Sequence, residues 1–123
     1  MDLKDKFWWV PFGRVSDIDA KALHALLQED PAPQILDVRT ALEWNHSRIA
    51  GSISAPITGL HATMATLGLD KKRPVIAICL SAHRRIPAVR LLKENGFEQA
   101  CQLKGGMRAW WKAKLPVQGT AGE

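Results

Sequence analysis

The segment that most constrains the fold is VIAICLSAHRR, residues 75–85. It opens with a short apolar, β-branched run that is typical of a buried strand. The run ends at Cys79, and residues 86–95 then have the pattern of a helix that stops at Asn95-Gly96. Backbone N–H groups converge at such a junction and favour an anion. The pattern therefore predicts a reactive Cys79 with a lowered pKa, the alternative being an inert core cysteine.

Strands and helices alternate on both sides of this segment. Further strands are predicted at 34–38 and 99–103, with a short extended piece at 49–54. Helices are predicted from Asp19 to before Pro31, at 40–45, at 61–67 and from Gly105-Gly106 to 111. This order predicts an α/β fold with a parallel sheet covered on both faces. Ligands bind beyond the carboxyl ends of such strands, where Cys79 and Asp37 both fall.

The chain of 123 residues has the length of one domain. We divide it into an aromatic-rich arm at 1–17 that packs over the domain, the domain at 18–115, and a loose tail at 116–123. No secretory signal or membrane-length apolar run is visible, so we expect a cytoplasmic protein that binds neither membrane nor nucleic acid. Two cysteines, Cys79 and Cys101, form neither a disulfide framework nor a zinc pattern, and a free thiol suits a reducing compartment.

The net charge of +5 is unevenly placed. Between positions 71 and 93 there are seven Lys or Arg residues and no Asp or Glu, which suggests attraction of anions near Cys79. For residues 71–73 we favour ordinary solvated charge instead. The histidines show no metal-ligand spacing, and no metal or cofactor is expected. They are His24, His46, His61 and His83.

Four segments together resemble the rhodanese-like (thiosulfate:sulfurtransferase-type) domain family. They are LDVR at 36–39 with Glu43 and Trp44, IAGSI at 49–53 through Pro56, CLSAHR at 79–84, and LKGG at 103–106 through Trp110. Each motif is weak alone, but all four occur in order and at the usual separations. The resemblance implies a three-layer sandwich with a central, mostly parallel sheet and helices on both faces.

The resemblance also implies an activity and a site. Cys79 would take a sulfane sulfur from a small anionic donor such as thiosulfate and pass it, as a persulfide, to cyanide, a thiol or a protein acceptor. The active-site and substrate-binding loop would be the segment that follows the cysteine, and three residues elsewhere would support it. The loop residues are Leu80, Ser81, Ala82, His83, Arg84 and Arg85; the supporting residues are Asp37, Arg39 and Arg48.

The chain departs from the family pattern at several positions. Arg48 stands in place of a usual His, Ala50 in place of a frequent Pro, and Ala82 in place of a frequent Gly. Leu80 replaces a frequent basic residue and leaves the loop short of a positive charge, so we expect thiosulfate to bind weakly.

Two alternatives remain open on sequence alone. Cys79 and Arg85 also have the spacing of a cysteine-dependent phosphatase or arsenate reductase loop. That pattern usually has His before the Cys and Ser or Thr after the Arg, whereas this chain has Ile78 and Ile86 there. The second alternative is a non-catalytic module that carries sulfur or binds a partner.

Overall fold

In the computed structural model, which describes residues 17–81 and 87–120, five strands form one sheet. The strands are β1 (Asp17–Ile18), β2 (Gln34–Asp37), β3 (Ile53–Ser54), β4 (Val75–Ile78) and β5 (Ala100–Leu103). Their spatial order is β1-β5-β4-β2-β3, and every neighbouring pair is parallel. The most buried strand, β4, thus lies between β5 and β2 at the centre of the sheet.

Helices cover both faces of this sheet. They are α1 (Ala20–Leu26), α2 (Ala41–His46), α3 (Ile57–Thr63), α4 (Pro87–Glu94) and α5 (Gly106–Lys112), with a 3₁₀ turn at Met64–Thr66. On one face Leu23 of α1 and Trp110 of α5 pack on Ile76 and Ile78. On the other face, side chains of α3 and α4 pack on Val75 and Ala77. This alternation confirms the expected α/β sandwich.

Local sequence signals account for most element boundaries. Asp19 caps α1 by accepting the Ala22 N–H at 2.8 Å, and Thr40 with Glu43 forms a capping box at α2. Helix α3 begins at Ile57 rather than at position 61, because Pro56 occupies the N-cap and starts the helix instead of only closing the extended segment. Strand β1 was not predicted, since two residues are too short for a recognisable alternation.

The C-terminal segment differs from the expected loose tail. Gln118 exchanges two backbone hydrogen bonds with Arg48, at 2.8 and 2.9 Å, and the Thr120 N–H donates to the Asn45 carbonyl. The prediction of a loose tail is therefore wrong for residues 116–120, because local composition could not show these long-range partners. The predicted arm at 1–17 lies outside the described residues up to position 16, and so do residues 121–123. The last residue of the predicted arm, Asp17, belongs to β1.

Across the two described ranges, no helix combines the length and apolar character needed to cross a membrane.

Candidate active site around Cys79

Cys79 follows β4 directly, at the carboxyl edge of the sheet. Its side chain is half-buried and packs against the cluster beneath α3 and α4. The backbone N–H of Ser81 forms a hydrogen bond to the sulfur, which lowers the pKa of the thiol. Cys79 is therefore not sealed in the core, in contrast to the buried Cys101.

The start of α5 holds the backbone of the cysteine loop. Met107 donates its N–H to the Cys79 carbonyl at 2.8 Å, and Arg108 donates to the Leu80 carbonyl at 3.0 Å. These N–H groups would otherwise lack a partner at a helix start. Gly106, with φ of +60°, lies so close that an added Cβ would be 2.6 Å from the Leu80 carbonyl carbon. The close approach requires glycine, and it fixes where Cys79 points.

A buried ion pair lies on the neighbouring strand. Asp37 and Arg39 are 1% and 5% exposed, and Arg39 Nη2 lies 2.7 Å from Asp37 Oδ2. Arg39 Nε donates to Asp37 Oδ1 at 3.0 Å, and Nη2 also donates to the Ser47 carbonyl at 2.6 Å. Removing one partner of such a pair costs about 3–5 kcal/mol, because it leaves a buried charge uncompensated.

The pairing register of β2 and β4 places Asp37 beside the residue that precedes Cys79. Asp37 is paired with Ile78 across the β2–β4 ladder, and the Val38 N–H donates to the Ile78 carbonyl at 2.9 Å. The structure thus brings together Asp37, Arg39 and Cys79, three of the residues selected from the sequence.

The pKa of Cys79 differs from the expectation of a lowered value. Burial raises it most, the carboxylate of Asp37 raises it further, and the Ser81 N–H and the Arg39 guanidinium lower it only in part. The expected direction is therefore wrong for this environment, because nearby cations can be counted from sequence whereas desolvation depends on packing. Burial raises the pKa of Cys101 to about 12, in agreement with an inert thiol.

Arg48 lies beside a different set of residues. Its guanidinium stacks on the Trp44 ring at 4.3 Å from the centroid, and its backbone pairs with Gln118. The Trp44 indole N–H donates to Ser52 Oγ at 3.0 Å. These contacts connect α2, the turn before β3 and the C-terminal segment, and they give Arg48 a role in holding that segment.

The fold separates the basic residues that the sequence places between positions 71 and 93. Residues 71–73 immediately precede β4 and so lie at the amino edge of the sheet, opposite Cys79. Lys71 and Lys72 are exposed, in agreement with their interpretation as solvated charge, whereas Arg73 is half-buried and donates to the Ala32 carbonyl at 2.7 Å. The loop residues Ala82, His83, Arg84 and Arg85 lie outside the described residues.

Metal-ligating side chains are dispersed in the part of the chain that the structure describes. No group of three or more His, Cys, Asp or Glu residues there could hold a metal ion. His24 instead packs edge-on against Trp110, with ring centroids 5.9 Å apart.

Sequence reasoning missed the residues that connect the site to the rest of the domain. Ser47 accepts Arg39 Nη2 through its carbonyl, and its hydroxyl accepts the Trp111 indole N–H at 2.9 Å. The only related signal in the sequence was the Gly105-Gly106 pair. It predicted that a helix starts there, but not that this helix start contacts the backbone of the Cys79 loop.

The raised pKa predicts a pH-dependent reactivity for Cys79. A group whose pKa lies above neutral is mostly thiol at pH 7, so alkylation by iodoacetamide should increase about tenfold per unit between about pH 6 and pH 8. Cys101, which is 2% exposed, should stay unmodified in the folded protein. A Cys79 rate that is already flat at neutral pH would contradict this prediction.

A parallel α/β sandwich with one half-buried cysteine at the carboxyl edge of its central strand defines a class of domain with a single-cysteine loop. The sequence matches the rhodanese-like domain over residues 19–113. The chain belongs to the rhodanese-like family.

Individual relatives agree with this assignment at low identity. A sulfurtransferase from Allochromatium vinosum is 27% identical over 103 residues, which cover 84% of this chain and 94% of the relative. A probable adenylyltransferase/sulfurtransferase, MoeZ, from Mycobacterium tuberculosis is 28% identical; 82% of this chain matches 26% of that longer protein. The solved structure of the Alr3790 protein from Anabaena sp. has a TM-score of 0.74 at 34% identity, covering 83% of this chain and 91% of that one.

Proposed function

We propose that this protein is a sulfurtransferase that carries a sulfane sulfur on Cys79 as a persulfide. The observation that most supports the proposal is the position of Cys79 in a rhodanese-like domain, half-buried at the carboxyl edge with the Ser81 N–H against its sulfur. A persulfide anion formed there would accept the same hydrogen bond. Names of relatives that include "sulfurtransferase" support this chemistry at the family level.

The reaction has two displacement steps. The Cys79 thiolate attacks the outer sulfur of thiosulfate; a new S–S bond forms, and the bond to the inner sulfur breaks with release of sulfite. The acceptor then attacks the terminal sulfur and restores the Cys79 thiolate. Cyanide leaves as thiocyanate, whereas a thiol acceptor leaves as a persulfide, and neither step requires an added oxidant or reductant.

The loop supplies the remaining groups of this proposal. In this proposal, backbone N–H groups from Ser81 to Arg85 would cradle the outer sulfur, and Arg84 would steady the loop or bind the anionic end of the donor. Leu80 adds no positive charge, so thiosulfate should show a high KM. A reducing compartment such as the cytoplasm suits this chemistry, because it preserves the free thiol.

A protein acceptor is also proposed as a partner. The Mycobacterium tuberculosis relative is named as both an adenylyltransferase and a sulfurtransferase, and this chain matches only 26% of it. Related domains thus occur inside longer proteins with a second activity. Adding candidate protein acceptors to the thiosulfate assay distinguishes a free-standing enzyme from a carrier, because a carrier would turn over only when the acceptor is present.

The direct test of the activity compares two substrates on one preparation. Thiosulfate with cyanide should yield thiocyanate, whereas an aryl phosphate should not be hydrolysed above the Cys79→Ser background. The expected reason is steric: a six-residue loop that ends at Arg84 should suit one sulfur atom and leave too little room for a tetrahedral phosphate. Aryl phosphate turnover that depends on Cys79, without sulfur transfer, would favour the phosphatase alternative.

The two loop arginines should differ in effect. If the cradle spans residues 79–84, Arg84→Ala should reduce sulfur transfer by about 100-fold or more, the usual cost of losing one anion-binding donor. Arg85→Ala serves as the matched variant and should have a far smaller effect. The reverse order would indicate the longer, phosphatase-type loop.

A further inference from the structure

The residue whose backbone lies against Leu80 is an arginine of helix α5. The Arg108 N–H donates to the Leu80 carbonyl at 3.0 Å, and the Met107 N–H donates to the Cys79 carbonyl at 2.8 Å. Gly106 permits this close approach, because a Cβ added there would meet the same two carbonyl groups. The backbone of Arg108 is therefore fixed beside the residue that follows the reacting cysteine, and its long side chain begins there.

The guanidinium of Arg108 has no partner among the described residues. The side chain is exposed, and no carboxylate within residues 17–81 and 87–120 forms an ion pair with it. The exposed Arg90 on α4, by contrast, pairs with Glu94 at 3.3 Å. The sequence has no Asp or Glu between positions 99 and 122, so α5 offers no carboxylate of its own. The five N–H donors of Arg108 are thus unoccupied by any described residue.

The position of Arg108 is unfavourable for the helix itself. It lies in the first turn of α5, where the positive end of the helix dipole disfavours a cation. Lys112 lies four residues further on and adds like-charge repulsion on the same side of the helix. No acidic residue in the first turn offsets these two effects. A local cost without a local benefit indicates a role outside the helix.

We propose that Arg108 is a specificity-determining residue of the sulfur-transfer site: it binds the anionic end of the donor and favours donors with a negatively charged leaving group over uncharged ones. The inference rests on the proposed function in taking Cys79 as the reacting group. Leu80 carries no charge, and Arg108, held against it, supplies a cation from another element. A planar guanidinium also binds two oxygens of one anion at once.

Lys104 provides a comparison at the same edge of the sheet. It is exposed and lies in the turn before α5, but its N–H donates to the Ile18 carbonyl of β1 at 2.8 Å. Strand β1 is separated from β4 by β5, and the carboxylate of Asp19 follows β1 directly. Lys104 should therefore attract an anion to Cys79 less than Arg108 does, although the two residues have the same charge.

The test compares alkylation of Cys79 by iodoacetate and by iodoacetamide in the full chain, followed by peptide mass spectrometry. Both reagents alkylate the thiolate by the same displacement, but only iodoacetate is charged, so the ratio of their rates cancels any change in the pKa of Cys79. At about 0.01 M ionic strength, Arg108→Gln should lower the iodoacetate-to-iodoacetamide ratio by about three- to fivefold, the effect of one unit charge about 5 Å away in water. The difference should largely disappear at about 1 M salt.

Three further variants serve as controls. Arg108→Lys keeps the charge and should retain most of the ratio. Lys104→Gln removes a charge near β1 and should lower the ratio by about twofold or less. Lys72→Gln removes an exposed charge before β4, at the opposite edge of the sheet, and should leave the ratio nearly unchanged. Circular dichroism checks that each variant is folded, which is expected because all three positions are exposed.

Three results would overturn the inference: an unchanged ratio in Arg108→Gln, a fall no larger than that of Lys104→Gln, or an equal fall in Arg108→Lys. Turnover of thiosulfate and cyanide gives a second readout, in which Arg108→Gln should raise the KM for thiosulfate and change kcat little. Alkylation requires no sulfur transfer. A lower ratio without transfer activity would therefore keep Arg108 as the anion-binding residue and reject the proposed function, whereas transfer with an unchanged ratio would do the reverse.

Discussion

Cys79→Ser is expected to abolish sulfur transfer from thiosulfate to cyanide, with a loss of at least about a thousand-fold. A serine hydroxyl is too weakly acidic to be an effective nucleophile here, and it has no sulfur with which to form the persulfide. The substitution is close in size and lies at a half-buried position, so the fold should persist. The measurement compares the rate of thiocyanate formation by the parent protein and by Cys79→Ser at saturating cyanide. Circular dichroism of both proteins checks that the variant is folded.

Cys101→Ala is the matched control for this substitution. Cys101 lies in β5, is 2% exposed, and is paired in register with Ile76 at the centre of the sheet. Its thiol is inaccessible in the folded protein, so this variant should retain most of the activity at some cost in stability. Activity that survives Cys79→Ser and disappears with Cys101→Ala would reject Cys79 as the sulfur carrier.

Gly106→Ala should reduce both stability and activity, although Gly106 is not expected to touch the substrate. An alanine there would adopt a positive φ, and its Cβ would lie within contact distance of the Cys79 carbonyl oxygen and 2.6 Å from the Leu80 carbonyl carbon. Backbone strain and overpacking together should lower the free energy of unfolding by about 2–4 kcal/mol. A shift of about 1 Å at Cys79 would lower sulfur transfer by about 100-fold.

Gly59→Ala is the control for this prediction. Gly59 lies inside α3, and a Cβ added there meets no atom within 4 Å. Alanine is favoured over glycine in a helix by about 1 kcal/mol, so this variant should be as stable as the parent or more so, with unchanged activity. Denaturant unfolding and the thiocyanate assay measure both variants. Equal behaviour of Gly106→Ala and Gly59→Ala would show that the close contact does not position the loop.

The central part of the fold could be predicted because its signals are local. The run at 75–78 is short and apolar, the strand at 34–37 has Ile and Leu at its centre, and Asp19 and Thr40 mark helix starts by their own side chains. Parallel pairing of the predicted strands then places Asp37 and Cys79 at one edge of the sheet. The proximity of these two residues could be predicted from the sequence for that reason.

The remaining features depend on contacts between distant residues. The connection of Ser47 to both Arg39 and Trp111, and the pairing of Arg48 with Gln118, join parts of the chain that carry no mutual sequence signal. The pKa of Cys79 is the clearest example. Its direction is determined by burial under α3 and α4 and by a carboxylate on another strand, neither of which the spacing of nearby arginines indicates.

The most direct test of the central claim is mass spectrometry of the protein after exposure to thiosulfate. A sulfurtransferase of the proposed type should gain one sulfur atom on the peptide that contains Cys79, lose it again on addition of cyanide, and show neither change as Cys79→Ser. An unmodified Cys79 under conditions where the same preparation hydrolyses an aryl phosphate would contradict the account.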